Sequence, residues 1–312
     1  MKNLLLSVTL VAISLITAYA QVSVEVNLPQ NNFLPGESLV AAVRITNRSG
    51  QKLKLGADQD WLRFDVESRD GGSVVAKMSD PVVLGEFELD SMKVATKRVD
   101  LAPHFNLNQL GRYAIIATVR IKAWDRELAS SPKLFDIIHG AKLWEQDFGL
   151  PTSDSAVGSP EVRKYILEQA NYLKGQLRMY MRLTDSTGDH TLRVFPIGQM
   201  VSFSRPEAQI DKLNNLHVLY ANGPHTFSYT VFNPDGALTA RDIYDYTASR
   251  PRLRVSNEGQ VSVNGGARRV TASLEKTSAP QETPAKLETP PQPETSAEPK
   301  KTAPLEKPNK KP

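Results

Sequence analysis

Two near-copies 45 residues apart constrain this chain more than any other feature. The first runs Ser204-Arg205-Pro206-Glu207-Ala208-Gln209-Ile210-Asp211, then residues 212–215, then Leu216-His217-Val218. The second runs Ser249-Arg250-Pro251-Arg252-Leu253-Arg254-Val255-Ser256, then residues 257–260, then Val261-Ser262-Val263. Each opens with Ser-Arg-Pro, alternates polar and apolar residues, turns, and alternates again. A period of two marks a half-buried strand, and two such runs across a polar turn read as a β-hairpin. Asn214 and Gly259 stand where that turn needs a positive φ, which both residue types tolerate. Pro suits the start of a strand, where no ladder hydrogen bond is lost. Between the copies, residues 226–232 and 238–244 read as strands joined by Asn233-Pro234-Asp235-Gly236, so one unit is expected to hold four strands. Gly175-Gln176-Leu177-Arg178-Met179 loosely echoes the second half of each copy. The same residues also fit a single antiparallel meander.

The first twenty residues read as an export signal. Lys2 supplies a positive start, residues 4–16 an apolar run too short to span a bilayer well, and Ala18-Tyr19-Ala20 a small-x-small cleavage pattern. Export to a bacterial periplasm or to the exterior is the expectation, with the mature chain starting at Gln21. No further transmembrane segment is expected after cleavage. With no cysteine in the chain, neither a disulfide nor a lipidated cysteine can form, and a chain of this length can bury enough apolar surface without them.

Residues 21–141 carry the pattern of a two-sheet sandwich. Residues 22–26 alternate cleanly, Pro35-Gly36 marks a turn, and residues 39–46 form the next strand. Leu62, Phe64 and Val66 share one face of a strand that ends at a tight turn, Asp70-Gly71-Gly72. Further strands are expected at 94–101, 113–121 and 135–138. Residues 142–174 read as a connector followed by a short amphipathic helix. Ser159 would cap it, Pro160 would occupy its first position, and Val162, Tyr165, Ile166, Gln169 and Leu173 would form its apolar stripe. Residues 175–270 form the β-repeat region. From 271 to 312, nine of 42 residues are Pro and large apolar residues almost vanish, so this tail is expected to stay disordered.

Two resemblances follow from these residues. Leu110-Gly111-Arg112-Tyr113-Ala114-Ile115-Ile116-Ala117 resembles the tyrosine corner of immunoglobulin-like sandwiches, where a Tyr hydroxyl bonds to nearby backbone. With Pro35-Gly36-Glu37 ahead of Val43-Arg44-Ile45-Thr46-Asn47, the region is similar to the Ig-like accessory domains of exported bacterial proteins. The 45-residue unit resembles the blades of exported β-propellers. Too few units are present to close a ring, so the sheets would stack openly, pack on the sandwich or complete themselves by association. The expected fold is therefore mainly β: an Ig-like sandwich, a short helix, a blade-like antiparallel repeat domain and a disordered tail.

The search for chemistry returns little. The five histidines lack the spacing of a zinc motif, and no nucleophile elbow, phosphate loop or dinucleotide fingerprint occurs. No cofactor is expected. The net charge of +4 is too mild for a general nucleic-acid binder. The surplus is concentrated in residues 161–270, with 14 Lys and Arg against 10 Asp and Glu, and eleven of the fourteen are Arg. On the repeat hairpins, Arg252 and Arg254 share the polar face, with Arg205 and Arg250 at the strand starts. These four are the candidate binding residues, because planar forks on a rigid sheet suit an anionic glycan or an acidic protein surface. Internal ion pairs with Glu207, Asp242 and Asp245 are the alternative use for those charges. The expected role is non-enzymatic: binding or scaffolding in the bacterial cell envelope. The rival is an exported carbohydrate-active hydrolase using Asp242 and Asp245.

Overall fold

In a computed structural model the described residues are 22–70, 74–150 and 161–269. The expected leader, Gly71-Gly72, Ser159-Pro160 and the expected tail lie outside them. The described chain is almost entirely β, and the helical content among those residues is a single 3-10 turn at Lys122–Trp124.

Ten strands build the first half: β1 (Val22–Asn27), β2 (Asn32–Phe33), β3 (Val40–Asn47), β4 (Leu53–Leu55), β5 (Leu62–Ser68), β6 (Phe87–Leu89), β7 (Val94–Asp100), β8 (Gly111–Ile121), β9 (Arg126–Ala129) and β10 (Lys133–Ile137). One sheet has the order β1-β3-β7 and the other β2-β10-β8-β5, with β9 beside β8 and a separate β4-β6 ribbon. Strict alternation decides which side faces in. Val22, Val24 and Val26 of β1 and Ala41, Val43 and Ile45 of β3 are buried with Phe64, Ile115, Ala117 and Phe135 of the other sheet in one core. Each such Val, Ile or Phe side chain contributes roughly 1.5–3 kcal/mol by leaving water. Tyr113 lies in that core, stacked on Phe135 at 5.5 Å between centroids, and its hydroxyl donates to the Gln109 carbonyl at 2.7 Å.

The second half opens with a four-stranded meander: β11 (Ala141–Leu150), β12 (Glu161–Leu173), β13 (Gln176–Asp185) and β14 (Thr191–Gln199). Here two sequence expectations fail. The connector begins as strand β11, and the helix is strand β12, paired with β11 from Glu161 to Gln169 and with β13 from Arg163 to Leu173. Residues 161–173 satisfy both periods. Val162, Tyr165, Ile166, Gln169 and Leu173 form a helical stripe, but Tyr165 and Leu167 alternate onto one face, and Ala170 and Tyr172 onto the other. The long-range ladders decide, because they take up the backbone groups that a lone helix would satisfy internally. Gly175, expected as a helix stop, sits in the two-residue turn between β12 and β13 with φ +71.

A five-stranded sheet follows, in the order β15 (Glu207–Ile210), β16 (Leu216–Ala221), β17 (Thr226–Phe232), β18 (Leu238–Asp245) and β21 (Ala267–Arg268). One face, with Leu216, Val218, Tyr220 and Phe232, packs on Tyr165, Leu167, Met179, Met181 and Leu183 of the meander. The opposite face, with Leu219, Ala221, Phe227, Tyr229 and Val231, is covered by a two-stranded ribbon, β19 (Arg252–Val255) with β20 (Val261–Asn264), through Leu253 and Val263.

The two copies therefore do not form successive blades. Their hairpins nevertheless match residue for residue. Glu207 to Ile210 pair with Leu219 to Leu216 as Arg252 to Val255 pair with Asn264 to Val261. One lies in the five-stranded sheet, and the other folds back over that sheet's outer face. Equivalent residues consequently meet different surroundings: Ile210 packs on the inner core, whereas Val255 is 52% exposed.

Candidate anion-binding cleft

The two Ser-Arg-Pro segments converge. The first links β14 to β15 and the second links β18 to β19. Together with the β16–β17 turn they line a cleft of about 470 Å³. Its walls carry Arg205, Arg250 and Arg252 beside Phe203, Phe227 and Tyr246. Three of the four arginines singled out in the sequence are thus brought together. The fourth, Arg254, is exposed on β19 and does not line the cleft.

Each arginine has its own setting. Arg250 Nη2 donates to Ser204 Oγ at 3.0 Å, so the Ser of the first copy fixes the Arg of the second. Its guanidinium carbon lies 5.2 Å from the Phe227 ring centroid, within cation–π range. Its Nε is buried without a hydrogen-bond partner among the described residues. Arg252 Nη1 donates to Glu207 Oε1 at 2.8 Å, while Glu207 Oε2 accepts the Leu253 backbone N–H, also at 2.8 Å. One carboxylate thereby neutralises a cleft cation and fastens the covering ribbon to β15. Arg205 is exposed, with no ion pair or side-chain hydrogen bond among the described residues. The local fold holds this frame in place. Gly266 approaches the second segment so closely that a Cβ there would meet Pro251 Cγ at 2.6 Å, and its N–H donates to the Ser249 carbonyl at 3.0 Å.

No protein-family model matches the chain. No curated protein matches it either. Among solved structures, the sporulation control protein Spo0M from Bacillus subtilis is similar at 8% identity and a TM-score of 0.28, over 72% of this chain and 91% of that one. So loose an overlap assigns neither a fold family nor a function.

Three further arginines of this half are engaged elsewhere. Arg268 Nη2 meets Asp242 Oδ1 at 2.6 Å, Arg269 Nη2 meets Asp245 Oδ1 at 2.5 Å, and Arg241 Nη2 donates to the Ile197 carbonyl at 2.9 Å. Arg269 holds the Asp245 carboxyl below its ordinary range. Internal pairing thus takes up part of the arginine surplus, and neither Asp242 nor Asp245 lines the cleft.

A second polar cluster lies apart from the cleft lining. His217 is buried, with Nδ1 2.7 Å from the Tyr229 hydroxyl and Nε2 3.1 Å from Asp211 Oδ2. Burial pushes the Tyr229 hydroxyl up to about 12. Burial also raises Asp211, but hydrogen bonds from Asn215, His217 and Leu213 outweigh it and leave the carboxyl below its usual range. Asp211 Oδ1 accepts the backbone N–H groups of Leu213 and Asn215, so this cluster ties the β15–β16 turn to β17.

Sequence reasoning named the arginines and, as the alternative use of their charge, an ion pair with Glu207, but missed the rings. Phe203 immediately precedes the first Ser-Arg-Pro, and Tyr246 lies three residues before the second. They are 76% and 46% exposed. A large ring beside each copy of the motif was the available signal. Glu207 aligns with Arg252 across the 45-residue offset, and that exchange of charge between the copies foreshadowed their contact.

Proposed function

We propose that this protein is an exported, non-enzymatic binding protein of the bacterial cell envelope, and that it takes an anionic ligand in the cleft between the two Ser-Arg-Pro segments. One observation carries the reading: Arg205, Arg250 and Arg252 meet exposed aromatic rings in a single concavity. Concave sites with apolar walls and a few oriented polar groups are the usual form of a ligand site. Arg250 is oriented by Ser204 before any ligand arrives, which lowers the ordering cost of binding. Export rests on Lys2, the apolar run at 4–16 and Ala18-Tyr19-Ala20. A binding role is favoured over hydrolysis because Asp242 and Asp245 are held in ion pairs outside the cleft lining.

The test is retention of the full chain on immobilised pectate and on immobilised polyglutamate at about 0.15 M salt, where exposed charges are screened beyond about 8 Å. Retention on either matrix is expected. It should fall at least tenfold in Arg205→Ala and stay unchanged in Arg254→Ala, which removes the same charge outside the cleft. Equal losses in the two variants would mean general charge attraction, and no retention on either matrix would reject the reading.

A further inference from the structure

The three arginines of the cleft are not equivalent, and the difference bears on what can sit there. Arg252 already has a carboxylate partner in Glu207. Arg250 is held by Ser204 and the face of Phe227, and its Nε is buried without a partner. Arg205 alone presents a whole fork with no protein partner among the described residues. The site therefore offers one open bidentate position, flanked by a cation whose charge is spent.

The rings add a second constraint. Phe203 and Tyr246 are the large aromatic side chains left most open at the cleft, and Pro206 and Pro224 extend its apolar lining. Flat apolar surface next to a guanidinium matches a molecule that carries a rigid apolar face and an acid on one frame. A pyranose offers its C–H face to a ring while a carboxylate on the same ring reaches a fork. An acidic peptide places its carboxylates on flexible stems with no such face. The cleft volume of about 470 Å³ falls within the roughly 300–1,000 Å³ of small-molecule sites.

We propose that the cleft takes a sugar acid, a pyranose unit bearing a single carboxylate, and that Glu207 restricts it to one charge at a time. This deepens the binding role above and rests on it. The acid pairs with Arg205, the ring lies against Phe203 and Tyr246, and a second anionic group placed toward Arg252 meets the Glu207 carboxylate. Repulsion between like charges then rejects densely sulfated or phosphorylated chains. Glu207 acts as a specificity residue, since its charge is set against the wrong ligand while its Oε2 holds the Leu253 N–H.

The test is calorimetric titration of the full chain with trigalacturonate, with the same trisaccharide as its methyl ester, with hexaglutamate, and with a heparin-type hexasaccharide. Trigalacturonate should bind, and esterification should weaken it at least tenfold. Arg205→Ala and Phe203→Ala should each lose at least tenfold. Glu207→Gln keeps an amide oxygen for the Leu253 N–H and should tighten binding of the sulfated hexasaccharide at least threefold. Hexaglutamate binding as tightly as trigalacturonate, with the same Arg205 dependence, would leave the binding role standing and overturn the sugar acid. Failure of every probe would overturn both. An unchanged hexasaccharide affinity in Glu207→Gln would overturn the restricting role of Glu207. If that variant unfolds, the ester and Phe203→Ala arms still decide the sugar acid.

Discussion

Single hydroxyls fasten both halves of the molecule. Tyr113 is 2% exposed, and its O–H donates to the Gln109 carbonyl at 2.7 Å, closing the chain just before β8. Removing that oxygen leaves a carbonyl without its partner while the ring still fills the core. Tyr113→Phe should therefore cost about 1 kcal/mol, and Arg112→Ala, whose ion pair with Asp136 is solvent-exposed, should cost less. Urea midpoints of the two variants check this ordering, and equal shifts would contradict it. This corner was legible because Leu110-Gly111-Arg112-Tyr113 places one aromatic at the start of an apolar strand. The cleft was legible only in part. Arg205, Arg250 and Arg252 stood out by charge, and Glu207 as an acid that could pair with them, whereas the roles of Phe203 and Tyr246 depend on chain segments that meet only in three dimensions.

At the scale of elements, one turn is used three times. The β15–β16, β17–β18 and β19–β20 hairpins each close over five residues: 211–215, 233–237 and 256–260. In each, the fourth residue sends its N–H to the first residue's carbonyl: Asn214 to Asp211, Gly236 to Asn233, Gly259 to Ser256. In each, a side-chain oxygen of the first residue accepts the fifth residue's N–H. The fourth residue has φ of 62, 72 and 74 respectively. Only Gly, or Asn at some cost, sits there readily. The Tyr165 hydroxyl bonds to the Asn233 carbonyl at 2.6 Å and approaches the Asn214 carbonyl at 3.2 Å, tying two of these turns to β12. Gly236→Ala should cost about 1–2 kcal/mol from the left-handed backbone, with further strain because its Cβ would stand 3.1 Å from Arg193 Cδ and 3.2 Å from Met181 Cε. Asn214→Gly relieves φ but loses the Asn214 side-chain bond to the Gly149 carbonyl, so its shift should be smaller. Thermal melts compare them, and a neutral Gly236→Ala would break the argument. These turns were readable because their chemistry is local. Strand β12 was not, because two periods fitted it and the choice lay with partners β11 and β13, whose pairing no single segment records.

At the scale of the whole molecule, the two halves meet around a buried acid. Glu37 Oε2 accepts the Leu34 N–H at 2.9 Å and Oε1 accepts from Gln30 Nε2 at 2.8 Å. The Gln30 side-chain oxygen in turn takes a hydrogen bond from Arg178 of β13, whose guanidinium carbon stacks 3.7 Å from the Tyr172 ring centroid. Asn31 N–H to the Tyr172 carbonyl and Asn32 Nδ2 to the Asn171 carbonyl complete the seam. Burial raises Glu37 to about 7 from 4.5, against the opposing pull of the Leu34 N–H, Gln30 and Arg178. Because the folded state binds this proton more tightly than the unfolded one, the contribution is fully present below about pH 4.5 and is lost as pH rises through about 7. Over that window the loss is on the order of 3 kcal/mol from this group. Glu37→Gln removes the titration and keeps an acceptor for the Leu34 N–H. Denaturant unfolding at about pH 5 and pH 7.5 should then show stability falling more steeply with pH in the natural chain than in the variant. Identical pH dependence in the two proteins would mean that the seam holds Glu37 ionised throughout, with Arg178 and the Leu34 N–H outweighing its burial.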